Sequence, residues 1–250
     1  MLFDNPRPRS YPDLNVSIAP HESNRMKTSL RSLTRSLLLA GVMLSAARAW
    51  TQDSGFYVKG DLGGNVTQNT ELKEFFGVPV GGSTVKFNPG LRLGAVGGYQ
   101  LLEWFAPEVE TAIMANEIDS IGGATQVHEA SFVNVPFLLN GRFQIPTHSP
   151  FTPYFGAGVG FSTSIIDVDH ITIGGVTIHG DQADTVFAYQ AFAGLRYRLN
   201  DRISLGLEYH YFAADSPTWG SDFAPTTGPD EMSFGHTRTH AISFAFEFRF

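Results

Sequence analysis

The sequence predicts an all-β chain, folded as one eight-stranded antiparallel, up-and-down barrel that crosses a membrane with its strands. Three observations predict it. Segments of about ten residues alternate apolar and polar side chains with period two, and the connections between them alternate between short and long. The apolar face carries the large aromatics, while the opposite face carries charge and glycine. A soluble sandwich or lipocalin-like barrel would alternate too, but would turn its aromatics inward.

The first strand spans residues 55–67, where Phe56, Val58 and Leu62 oppose Tyr57, Lys59 and Asp61. In the second, 87–101, Leu91, Leu93, Ala95 and Tyr99 oppose Arg92, Gly94, Gly98 and Gln100. The third, 104–116, sets Phe105, Val109 and Ile113 against Glu108 and Glu110. The fourth, 132–143, sets Val133, Val135, Phe137 and Leu139 against Asn134, Asn140 and Arg142. In the fifth, 153–164, Phe155, Ala157, Val159 and Phe161 face outward, and Gly156, Gly158 and Gly160 leave room inside a narrow barrel. The sixth, 186–199, turns Tyr189, Leu195 and Tyr197 outward; the seventh, 202–213, does so with Ile203, Leu205, Leu207, Tyr209 and Tyr211. The eighth is 241–250, with Ile242, Phe244, Phe246, Phe248 and Phe250 on one face and Ser243, Glu247 and Arg249 on the other.

Long polar connections are expected at 68–86, 117–131, 165–185 and 214–237, after strands one, three, five and seven. Short ones, at Leu102-Glu103, 146–150 and Asn200-Asp201, follow strands two, four and six. Short turns belong to the periplasmic end of such a barrel and long loops to the outside, so both termini are expected in the periplasm.

The N-terminal region reads as export machinery. Met26 opens a stretch with Lys27, Arg31 and Arg35, followed by an apolar run at 37–44 and the small residues Ser-Ala-Ala-Arg-Ala at 45–49. Residues 26–49 are therefore read as a signal peptide cleaved after Ala49; the apolar run is too short to span a bilayer as a helix. Residues 1–25 are expected to be an unstructured or non-native extension with Met26 as initiator, and 50–250 to form the barrel domain.

The chain carries 17 Lys and Arg against 24 Asp and Glu, a formal charge of −7. Residues 1–49 hold seven of the basic and three of the acidic residues, so the remainder carries −11. That balance excludes a nucleic-acid partner. There is no cysteine, which excludes disulfides, thiol catalysis and a lipidated N-terminal Cys.

The segments Pro153-Tyr-Phe-Gly-Ala-Gly-Val-Gly160 and Gly194-Leu-Arg-Tyr-Arg-Leu-Asn-Asp-Arg-Ile-Ser-Leu-Gly-Leu-Glu-Tyr-His-Tyr211 resemble the eight-stranded barrel domains of the OmpA and OmpX type, and the likeness extends over residues 55–250. The final strand, with Phe244, Phe246, Phe248 and the terminal Phe250, resembles the signal read by the barrel-assembly machinery. The resemblance implies a Gram-negative outer membrane, its lipids and that machinery as partners, and a monomer. It does not imply one activity, because this fold hosts anchors, adhesins, narrow pores and a few lipid-modifying enzymes. No peptidoglycan-binding domain is expected after the barrel.

The inward face collects Lys59, Asp61, Arg92, Glu108, Glu110, Arg142, Arg196, Arg198, Glu208, His210, Glu247 and Arg249. An eight-stranded lumen is just wide enough to be filled by side chains, so these charges are expected to pair and plug it. Glu108 and Glu110, about 7 Å apart by strand rise, have the spacing of an acid/base pair but read better as counter-charges for the arginines. Phe56, Tyr99, Trp104, Phe105, Phe143, Tyr154, Tyr197 and Tyr211 fit interfacial girdles.

An enzyme would need a nucleophile or activated water near a His and a carboxylate. His128, His170, His179, His236 and His240 lie near Glu129, Asp167, Asp169, Asp181 and Glu231, with Ser131 close to His128, but they match no family motif. Asp167, Asp169 and His170 lack the ligand count and glycine of a calcium loop. No catalytic residue, cofactor or metal site is predicted. Trp219, Phe223 and Phe234 in the fourth loop suit either an exposed binding surface or packing over the barrel mouth. The expectation is a non-enzymatic outer-membrane protein with a structural or surface-interaction role through its loops, whose ligand the sequence does not name. A narrow ion-conducting pore is the first alternative and a lipid A-modifying enzyme the second.

Overall fold

A computed structural model of the chain describes residues 55–78, 80–220 and 231–250. The expected extension (1–25) and signal peptide (26–49) lie outside the described residues. Eight strands build the wall: β1 (Phe56–Thr67), β4 (Gly90–Tyr99), β5 (Phe105–Ile121), β6 (Ala124–Gln144), β7 (Phe151–Ile173), β8 (Val176–Arg198), β9 (Ile203–Ala214) and β12 (Thr237–Arg249). Each pairs antiparallel with its neighbours in the order β1-β4-β5-β6-β7-β8-β9-β12, and β12 pairs back onto β1 from Tyr57↔Arg249 to Thr67↔Thr239. The sheet is closed, so the wall leaves no free edge at the level where all eight strands pair.

The short turns have local causes. Asn200 Oδ1 accepts the backbone N–H of Arg202 (2.9 Å) and of Ile203 (2.8 Å), closing the β8–β9 turn with its own side chain. Between β4 and β5, Phe105 N–H donates to Leu102 O at 3.1 Å.

The long connections differ from the expectation of polar loops. Four shorter strands lie in two of them: β2 (Thr70–Phe75), β3 (Thr84–Phe87), β10 (Thr218–Trp219) and β11 (Met232–Phe234). They pair as β10-β11-β2-β3 and join β5 through Val85↔Ile121. The other two connections are continuations of the wall. β5 and β6 run on to a two-residue turn at Gly122-Gly123, and β7 and β8 to one at Gly174-Gly175. Gly123 (φ 85°), Gly174 (φ 56°) and Gly175 (φ 85°) sit in left-handed conformations that two-residue hairpin turns require and that side chains disfavour. β7 and β8 each have 23 residues, about 75 Å at the usual strand rise, against a hydrocarbon layer of about 30 Å. About half of each strand therefore projects past the membrane.

Along these strands the two faces exchange chemistry without changing parity. On β5 the inward line reads Glu108, Glu110, Ala112, Met114, Asn116, then Ile118; the outward line reads Val109, Ile113, then the exposed Glu117 and Asp119. On β7, Ser162 and Ser164 give way inward to Ile166 and Val168, while Phe161 gives way outward to Asp167 and Asp169. The pairs Asn116↔Phe132 and Phe132↔Ile166 place the change at one level around β5, β6 and β7. Above that level the inward residues form an apolar core of Leu72, Phe75, Val85, Phe132, Ile166, Ile178, Trp219, Met232, Phe234 and their neighbours. Below it the outward residues are apolar and exposed, up to 76% for Phe244, which is the face a lipid solvent requires.

Candidate functional site

Two interiors are candidates: the polar lumen within the wall and the apolar head above it. The lumen is held by a belt of charges carried on inward positions of β1, β4, β5, β6, β8, β9 and β12. Arg92 on β4 is fully buried and bridges two strands, with Nε 2.8 Å from Asp61 Oδ1 and Nη2 2.5 Å from Glu110 Oε1. Lys59 Nζ on β1 lies 2.6 Å from Glu208 Oε1 on β9, reaching over the intervening β12. Arg142 Nη1 lies 2.7 Å from Glu247 Oε2 and 3.4 Å from Glu108 Oε1, and Arg196 Nη1 takes the other Glu247 oxygen at 2.7 Å. Lys59, Asp61, Arg92, Glu108, Glu110, Arg142, Arg196, Glu208 and Glu247 are all buried.

Neutral groups fill the remaining bonds. Asn140 and Gln190 each donate an amide N–H to Glu110 Oε2, at 2.6 and 2.5 Å. Tyr57 donates its hydroxyl to Glu108 (2.7 Å) while the Arg142 guanidinium stacks 4.4 Å from its ring centre. Tyr154 donates to Glu208. His210 Nε2 lies 3.0 Å from the second oxygen of Glu208. Glycines make the space: a Cβ on Gly98 would enter the Tyr57 ring, one on Gly94 the Asp61 carboxylate and one on Gly158 the Asn140 amide. This packing is what holds so many bulky polar groups within an eight-stranded wall.

Several expected positions are corrected. Tyr154 is not a girdle residue; it is 5% exposed and inside, because it shares the parity of Gly156 and Gly158. Arg198 is exposed, and Arg249 is half-buried near the barrel end, 3.9 Å from Glu247. Both sit where their strands run out. Glu108 and Glu110 do not face a shared substrate position, since each is taken up by its own cation and amide or hydroxyl donors. Tyr57, Asn140 and Gln190 complete the belt; parity with Lys59, Arg142 and Arg196 was the signal that identifies them.

The loop aromatics Trp219 and Phe234 are buried, at 1% and 0% exposure, and pack edge to face with ring centres 5.0 Å apart. Trp219 Nε1 donates to Ser164 O at 3.3 Å, tying the fourth connection to the wall. Phe223 and the side chain of His128 lie outside the described residues. His236 lies 2.9 Å from Asp215, and His240 shares a hydrogen bond with Tyr209 at 2.6 Å. On the outer face of the β7–β8 hairpin Asp167 is paired directly with Asp181. Partial burial and the neighbouring Asp181 and Asp169 charges raise the Asp167 carboxyl above its ordinary value.

Aromatics near the short-turn end of the barrel cluster as a girdle would: Phe143 lies between Trp104 (6.0 Å) and Phe155 (5.7 Å), and Phe151 meets Tyr197 at 4.9 Å. The last strand shows Phe244 and Phe246 on the outer surface and Phe248 against Phe250 at 5.3 Å; Phe250 N–H donates to Phe56 O at 3.1 Å.

Comparison with known proteins accords with this architecture. The structure of OprG from Pseudomonas aeruginosa is 16% identical, covers 79% of this chain and 97% of its own, and superposes with a TM-score of 0.56. Neisserial surface protein A is also 16% identical, with coverage of 79% and 98% and a TM-score of 0.48. No curated protein matches the sequence. The sequence model of the family described as "Outer membrane protein beta-barrel domain" matches residues 36–250, most of the chain, and the protein belongs to that family of bacterial outer-membrane barrels.

Proposed function

We propose that the protein is a sealed, non-enzymatic barrel that carries a rigid β-structured head on the outer surface of the cell, with surface interaction as its role. The observation that carries this reading is the exchange of faces at one level of β5, β6 and β7, which turns the long connections into a folded body with its own core. Short turns at one end and the head at the other orient it, since long elements of such barrels lie outside the cell. The acidic outward residues Glu117, Asp119, Glu129, Asp167, Asp169 and Asp181 suit a hydrated surface.

The paired belt argues for a closed lumen. Opening a path would require unpairing buried ions, and removing one partner of such a pair costs about 3–5 kcal/mol. Export through a cleaved leader at 26–49, and assembly through the Phe244, Phe246, Phe248 and Phe250 face, belong to the same proposal. The test is single-channel recording on barrel refolded from residues 50–250 in a planar bilayer. Folded, silent barrels are expected. Steady conductance steps would overturn the sealed reading in favour of a narrow pore, and a lipid product from outer-membrane vesicles would overturn the non-enzymatic one.

A further inference from the structure

The belt is not evenly balanced. At one side Arg142, Arg196 and, at 3.9 Å, the half-buried Arg249 meet Glu108 and Glu247, so the anions there are fully answered. At the other, Lys59 and Arg92 meet Asp61, Glu110 and Glu208, leaving one buried negative charge over. His210 stands at that second side, against Glu208 and 5.9 Å from the Phe192 ring. One donor atom from each of Asp61, Glu208 and His210 lies within 4.8 Å of the others. Among the described residues, Asp61 Oδ2 and His210 Nδ1 have no hydrogen-bond partner, although the two residues are only 3% and 1% exposed. Other buried atoms, among them Glu108 Oε2 and Arg142 Nε, also have no partner, but those of Asp61 and His210 belong to side chains gathered around one point with metal-ligating atoms.

We propose that Asp61, Glu208 and His210 form a cation site within the lumen, taking one divalent first-row metal ion of the zinc class. Two carboxylates and an imidazole are the oxygen and nitrogen donor set that such ions accept. A proton on His210 would supply the missing charge but would place an N–H on Nδ1, which has no acceptor, and would leave Asp61 Oδ2 unpaired. A metal ion takes lone pairs and answers the charge deficit and the orphan atoms together. Lys59 binds Glu208 through Oε1, so the second oxygen remains for the His210 side. Asp61 uses Oδ1 for Arg92 and keeps Oδ2.

The experiment refolds the full chain in detergent after chelator treatment, with and without Zn²⁺, and measures bound zinc and the thermal unfolding midpoint. Wild type is expected to retain one zinc per folded barrel through desalting and to unfold at a higher temperature with metal. His210→Gln and Asp61→Asn, each checked for barrel formation by heat-modifiable gel mobility, are expected to bind at least tenfold more weakly and to lose the shift. A double variant of the surface histidines, His170→Gln with His179→Gln, is expected to behave as wild type. No retained zinc in the wild type, or retention unchanged in a folded His210→Gln barrel, would overturn the site. If His210→Gln fails to fold, Asp61→Asn and the metal-dependent midpoint of the wild type decide the matter in the same way.

Discussion

Glu110 and Ile118 lie on the same inward line of β5, and Val109 and Glu117 on its outward line, yet each pair has exchanged chemistry within eight residues. The lower half of the molecule keeps its charges inside and shows phenylalanine to its surroundings. The upper half keeps phenylalanine inside and shows aspartate. The strand geometry is common to both, with period two carried across the level of the exchange and broken only further up, as between Val168 and Ile171. What differs is the solvent: lipid outside the lower half, water outside the upper. The comparison teaches that alternation reports a two-faced strand, and the direction of the alternation reports which medium lies beyond it.

The two halves should fail differently. The largest effect is expected from Arg92→Met, which leaves Asp61 and Glu110 buried without their shared cation; a loss of about 3–5 kcal/mol should appear in urea unfolding from lipid vesicles. Trp219→Ala should cost about 3–5 kcal/mol as well, by leaving a cavity in the upper core. That loss should be local: limited proteolysis would cut the upper connections sooner, while heat-modifiable migration of the barrel stays as in wild type. A third pair of variants sets the solvents against each other directly. Leu139→Lys, on the exposed lower wall, should cost about 2–4 kcal/mol, whereas Asp169→Lys on the upper wall should change stability by less than about 0.5 kcal/mol.

The smallest effect concerns Asp167, which faces Asp181 across β7 and β8. Its carboxyl is raised in the folded chain, so the fold binds its proton more tightly than the unfolded chain does. The repulsion is present in full above the raised folded value, fades as pH falls through it, and is gone below the ordinary carboxylate value. Asp167→Asn should stabilise the hairpin tip at neutral pH by about 0.2–1 kcal/mol, seen as slower amide exchange there, and should remove this pH response.

The wall was legible from alternation because each lower strand repeats one pattern with one sign. The upper half was less so: residues 166–169 also alternate, Ile166 and Val168 against Asp167 and Asp169, but with the sign reversed and with the register shifting between Val168 and Ile171, so their charges resemble a loop. Gly122-Gly123 and Gly174-Gly175 are hairpin signals that would have joined the extended strands. The pairing of β10, β11, β2 and β3 was beyond reach, since runs of two to six residues meet partners far along the chain. In the lumen, parity places Lys59 and Glu208 inward, but their contact spans 149 positions and depends on closure of the barrel. Tyr154 shows the cost of reading residue type ahead of parity.

The cysteine-free chain allows the central claim to be measured strand by strand. Single cysteines at the outward β7 positions Ala157, Val159, Phe161, Asp167 and Asp169, in barrels reconstituted into vesicles, would be tested with a charged, membrane-impermeant maleimide added outside. The account predicts that Asp167→Cys and Asp169→Cys react at the rate of a water-exposed thiol while the cysteines at 157, 159 and 161 are protected until detergent is added. Equal reactivity along the whole line, or protection at 167 and 169, would contradict the exchange of solvents on which the account rests.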